Sequence, residues 1–184
     1  MTTERSYPTV STVNNDEKEH RRQLATKLNS LIVKSVKFNN YVSTTAVGNV
    51  GAGEDDLISR SVEQNTLSYA NDYFEIIAFG TFAANANSKR VKLYFGSTVI
   101  MDTGAQNQNG GSWNIRATVI MTGAATQIAS ATFISTSALF TDDATYTTPA
   151  ETIAGSITIK CTGTGVADND ILHKALIIRA ITQA

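Results

Sequence analysis

"SWNIRATVIMTG", Ser112 to Gly123, sets the period of this chain. Trp113, Ile115, Ala117, Val119 and Met121 fall on one face, and Asn114, Arg116 and Thr118 fall on the other. Such alternation marks a half-buried β-strand, because successive side chains of an extended backbone point to opposite sides. The amide-rich "QNQNGG" before it reads as a loop. Trp113 reads as the first core residue of the strand rather than a platform for a sugar.

Working outward, the same period recurs. "DYFEIIAFGTFA" is a strongly apolar central strand, with Phe74, Ile76 and Ala78 opposing Tyr73, Ile77 and Phe79. "RVKLYFGSTVIMD" sets Val91, Leu93 and Phe95 against Arg90, Lys92 and Tyr94, and "NANSK" ahead of it has the composition of a turn. "LISRSVEQNTL", after the acidic, glycine-broken "GNVGAGEDD", reads as an edge strand. "QIASATFISTSALF", "SITIKCTGTG" and "DILHKALIIRAIT" complete the series. Short strands punctuated by Gly, Asn and Asp, with no helix between them, predict an all-β fold. About eight strands with mixed loop lengths favour an antiparallel, jelly-roll-like β-sandwich over an up-and-down barrel.

The first forty residues obey a different period. Asn14, Asn15 and Asp16 are N-cap residue types, a charged first turn follows, and Leu24, Leu28, Leu31 and Ile32 recur at helical spacing. Glu17 and Arg21 stand in the favourable i, i+4 order. A helix of this length is marginal alone in water, so its leucine stripe must cover something: its own domain, copies of itself or another protein. The expected organisation is therefore an arm and amphipathic helix over 1–40 and a sandwich domain over 41–184, with Met1 to Val13 extended or disordered.

Composition narrows the function. Net charge is −1, and charged residues make up 17% against roughly 25% in average domains. That excludes a nucleic-acid binder working through a broad basic face. No run is long and apolar enough for a membrane span, and "MTTERSYPTV" lacks the apolar core of a secretory signal. Cys161 is the single cysteine, so no intrachain disulfide forms, which fits folding in a reducing cytoplasm. It shares a face with Ile157 and Ile159 and reads as a small core residue.

Catalytic patterns are thin. His20 and His173 lie in different segments, and no HExxH, CxxC, GxSxG or phosphate-loop pattern occurs, so no cofactor or metal is expected. The acidic candidates are Glu54, Asp55 and Asp56, then Asp142 and Asp143, then Asp168 and Asp170. All fall in stretches that read as loops, where turn-capping is the ordinary role, although a carboxylate pair could cleave a glycoside and Asp168 with Asp170 could hold calcium. The reading is of a non-enzyme with no catalytic residues.

Longer stretches carry a resemblance. "AFGTFAANANSKRVKLYFGSTVIMDTG", "NGGSWNIRATVIMTGAATQIASA" and "TGTGVADNDI" together resemble a β-sandwich module found at the C-terminal ends of tailed-bacteriophage structural proteins, over roughly Leu57 to Ile178. "DEKEHRRQLATKLNSLI" resembles a segment near the start of phage tail-fibre-like proteins, although the long shaft of a fibre is missing here. The resemblance implies a virion structural protein assembled in the bacterial cytoplasm: a short spike, fibre or decoration protein. Its implied partners are other virion proteins of head, connector or tail, and its implied state is a homotrimer. Leu24, Leu28, Leu31 and Ile32 would form the assembly interface. The alternative is a receptor-binding tip recognising a host surface glycan through Asn85, Asn87, Asn107, Gln108 and Asn109.

Overall fold

The computed structural model describes residues 15–36, 40–67, 70–136 and 143–182. The arm before Asn15, the side chains of Leu31, Ile32 and Gln108, and Asp142 lie outside the described residues. The chain divides into two compact units, Met1–Lys37 and Phe38–Ala184.

The first unit is built on helix α1, Asn15–Val36. The Glu17–Arg21 pair forms at 3.2 Å with both side chains exposed, so it adds only a few tenths of a kcal/mol. Leu24 and Leu28 are 52% and 58% exposed. No helix among the described residues is long and apolar enough to cross a membrane.

The second unit is an antiparallel, jelly-roll-like β-sandwich. Its strands are β1 (Tyr41–Ser43), β2 (Val47–Gly48), β3 (Gly53–Val62), β4 (Tyr73–Phe82), β5 (Ala84–Phe95) and β6 (Thr98–Asp102). They continue as β7 (Gln106–Asn109), β8 (Ser112–Gly123), β9 (Thr126–Ser135), β10 (Asp143–Thr147), β11 (Ile157–Gly165) and β12 (Ile171–Ile181). The larger sheet runs β1-β12-β4-β8-β9-β10, with β2 also on β12; the smaller runs β3-β11-β5-β6, with β7 also on β5.

The alternation decides what lies between the sheets. From the larger sheet come Phe74, Ile76, Ile115, Val119, Phe133 and Ile178; from the smaller come Leu57, Val91, Leu93, Phe95 and Ile159. Phe74 and Phe95 meet across the gap with ring centroids 6.0 Å apart. Trp113 is 2% exposed, packed beside Phe82 and His173 at centroid distances of 6.4 and 6.3 Å. Opposite it in β4 is Gly80, where an added Cβ would lie 2.7 Å from the indole Cζ2 and overlap the Leu172 carbonyl, so only glycine lets the ring lie there. Cys161 is fully buried, and burial pushes its thiol up, which leaves it a packing residue.

Three stretches expected to be loops are strand. "NANSK" belongs to β5, "GEDD" opens β3, and "QNQN" is β7, with the turn confined to Gly110 and Gly111 at φ +78° and +104°. In the first two the side chains find partners within the sheets or turns, and in "QNQN" the backbone pairs with β5, which removes the usual reason for such residues to leave a strand.

Candidate functional site

Three polar groupings stand out in the sandwich. The first is buried. β4 passes to β5, and β11 to β12, at the same end of the sandwich, so both connections cross from one sheet to the other. Asp170 ties them together. Its carboxylate accepts from the backbone N–H of Ala167 (2.8 Å) and Val166 (2.9 Å), and from the amides of Asn85 (2.7 Å) and Asn87 (3.0 Å). Its own carbonyl accepts from Ala83 N–H at 2.9 Å. Lys89, fully buried, donates through Nζ to Asn85 Oδ1 at 2.7 Å and to the Asn85 and Asn87 carbonyls at 3.0 Å.

Asn49 extends this clamp to a third strand connection: it donates to the carbonyls of Gly51 and Ala167 and accepts from Ile171 N–H at 2.9 Å. Asn169 takes the left-handed backbone (φ 60°) that the tight turn needs, and Asp168 caps Gly51 N–H.

Burial alone would raise the Asp170 carboxyl, but the N–H groups of Ala167 and Val166 and the two amides hold it at about 2. Burial pulls Lys89 down from its ordinary value, against the Asp170 charge, which pulls it up. Asn85 and Asn87, candidates for ligand contact, are therefore engaged inside the fold. Asp168 and Asp170 act as turn caps, and no group of metal-ligating residues occurs among the described residues.

The second grouping covers the outer face of the smaller sheet. Glu54 accepts from Tyr94 Oη (2.6 Å), Thr162 Oγ1 (2.8 Å) and Lys92 Nζ (2.5 Å). Lys160 bonds Asp56 at 2.8 Å and lies 5.0 Å from the Tyr94 ring centre. Arg90 pairs with Asp102. Partial burial would raise Glu54, yet bonds from Lys92, Tyr94 and Thr162 bring it to about 2. A carboxylate this well satisfied is a poor general acid or base near neutral pH, since its proton is gone and its lone pairs are occupied.

Both carboxylates have folded values below their ordinary ones, so each stabilises the fold above its unfolded pKa and loses that contribution as pH falls toward the folded one. Stability should hold from neutral pH to about 4.5, then fall progressively toward about pH 2. Urea midpoints measured against pH check this. A flat profile between those limits would show that neither network matters to folding.

The third grouping is a hollow of about 320 Å³ on the outer face of the larger sheet. Phe79 of β4, Asn114 of β8 and Ile134 of β9 pair in one cross-strand row, and Ser112 and Thr136 sit beside them. Phe79 is 37% and Ile134 52% exposed. Ser112 Oγ and Thr136 Oγ1 are 3.2 Å apart, and Thr136 Oγ1 also accepts from Ser112 N–H at 2.9 Å. Asn114 Oδ1 is buried with no hydrogen-bond partner. Gly80 and Trp113, whose indole belongs to the core, also line it, and none of the described lining residues carries a charge.

Asn107 and Asn109 are exposed on β7, paired with Ser88 and Ala84 of β5 rather than placed at this hollow. Sequence reasoning missed Asn114, Phe79 and Ile134 as surface candidates. The signal was present in the outward half of each alternation, which was read only as the complement of the core.

No protein-family model matches the chain, and no curated protein matches it by sequence. Among solved structures it is similar to the C-terminal domain of EclA, described as a sugar-binding protein, at 9% identity over 74% of this chain and 78% of that one, TM-score 0.36. It is also similar to the CBM2 module of the evolved Dit of Lactobacillus casei BL23 phage J-1, at 9% identity over 68% and 69%, TM-score 0.33. A third is the lectin UEA-II complexed with galactose, at 7% identity over 78% and 93%, TM-score 0.35. Likenesses this distant carry no argument about what this chain does.

Proposed function

We propose that this chain is a bacteriophage virion structural protein, a short spike, fibre or decoration protein, anchored through 1–40 with the β-sandwich projecting outward, as a homotrimer. The observation that carries the reading is the exposure of Leu24 and Leu28 on a helix belonging to a separate compact unit. An apolar stripe left in water is costly to keep, and contact with sister helices or another virion protein would cover it. The buried clamp supports the same reading from the other side. The "NANSK" and "ADND" stretches that resemble the phage module build the clamp that joins the sheets, which suits a rigid projecting domain.

The test is a Leu24→Asp/Leu28→Asp double variant. It should keep the β-sheet circular dichroism and thermal midpoint of the sandwich, lose mass in light scattering, and fail to join particles assembled in an infected host. Unchanged mass together with normal incorporation would remove both the trimer and the anchor from the helix.

A second reading, recognition of a neutral host-surface glycan, is favoured by the hollow beside Phe79 and Asn114, whose described lining residues carry no charge. It is compatible with the first, since an anchored sandwich presents its outer faces.

A further inference from the structure

We infer that the hollow on the larger sheet is a binding site for one neutral pyranose ring, held by Asn114, the Ser112–Thr136 hydroxyl pair and Phe79; this rests on the glycan reading above. Its volume, about 320 Å³, lies at the small end of ligand-binding cavities and suits a single sugar better than an extended chain.

The chemistry of the lining selects the ligand class. Asn114 Oδ1 is a buried acceptor without a donor, an arrangement that costs stability unless a bound group donates to it. Ser112 and Thr136 hold two hydroxyl protons between them, and their mutual contact uses one, so the other is available to an oxygen of the ligand. Acceptor and donor stand two residues apart on β8, about 7 Å along the strand, a span that hydroxyls on one pyranose ring can bridge. Phe79 and Ile134 flank Asn114 in the same row and offer apolar surface to the C–H face of the ring. Among the described residues no lysine, arginine, aspartate or glutamate lines the hollow, which favours a neutral ligand over a sulfate, phosphate or carboxylate.

The position also explains itself energetically. Asn114→Leu keeps the branched shape of the side chain and removes the unsatisfied oxygen, so it should leave the melting temperature unchanged or higher while destroying the site. A residue that a fold would be more stable without is the mark of a binding role.

The experiment uses the full chain and a panel of glucose, galactose, mannose and N-acetylglucosamine, with a bacterial-surface glycan array, read by calorimetry and NMR line shifts. At least one neutral sugar should bind saturably. Asn114→Leu should weaken it tenfold or more without lowering the melting temperature, Phe79→Ala should weaken it tenfold or more, and Asn107→Ala/Asn109→Ala should leave it unchanged. Binding kept in Asn114→Leu but lost in Asn107→Ala/Asn109→Ala would overturn this site and keep the glycan reading. No binding across the array would overturn both. Loss of oligomer mass in Asn114→Leu, without sugar binding to the parent protein, would make the hollow a subunit contact and overturn the proposal.

Discussion

Replacing Asp170 with alanine should lower the unfolding free energy by about 3–5 kcal/mol. The change removes the acceptor for Val166 and Ala167 N–H and for both asparagine amides, and it leaves Lys89 buried without its nearby carboxylate. An uncompensated buried charge is the dominant penalty, because the lysine is fully buried. For a chain of this size each kcal/mol is worth roughly 2–4 °C, so the melting temperature should fall by roughly 6–20 °C. Asp170→Asn keeps the shape but not the charge and should cost less, about 1–3 kcal/mol. Chemical denaturation of both variants checks the order. A loss below about 1 kcal/mol for the alanine variant would mean that the sheets are not joined through this residue.

Trp113→Ala should cost about 3–5 kcal/mol through the cavity it leaves among Phe82, His173 and the glycine notch at Gly80. Trp113→Phe should cost less, since the indole N–H has no hydrogen-bond partner and its removal forfeits no bond. The pair separates packing from recognition. If Trp113→Ala unfolds at nearly the parental denaturant concentration, the tryptophan is not a core residue, and the ligand-platform reading returns.

Much of the sandwich was legible because its cores obey period two without interruption. Trp113, Ile115, Ala117, Val119 and Met121 of β8, and Phe74, Ile76 and Ala78 of β4, all face inward as their alternation requires. The strands that escaped notice, β1, β2, β7 and β10, are at most five residues long, too short to display a period. The clamp was hidden for another reason. Extending the alternation of Val91, Leu93 and Phe95 back by twos reaches Lys89, Asn87 and Asn85, the side chains that surround Asp170. Their polarity argued for a turn, and polarity is a local property. Asn85 and Asn87 accept from the lysine locally, but the carboxylate that balances its charge comes from a turn more than eighty residues away and leaves no trace in the window around it.

The hollow beside Asn114 was unreadable for a similar reason. Phe79, Asn114 and Ile134 come from three strands and meet only through the register of β4, β8 and β9. A single sequence gives the face of each residue but not its cross-strand neighbour.

The proposed function requires attachment to a virion with the sandwich outermost. Imaging of intact, purified particles by electron cryomicroscopy tests it most directly. Density for this chain is expected on the particle surface, with 1–40 against another virion protein and the sandwich turned to solvent. Particles that lack the chain, or that bury the sandwich and expose the N-terminal unit, would contradict it.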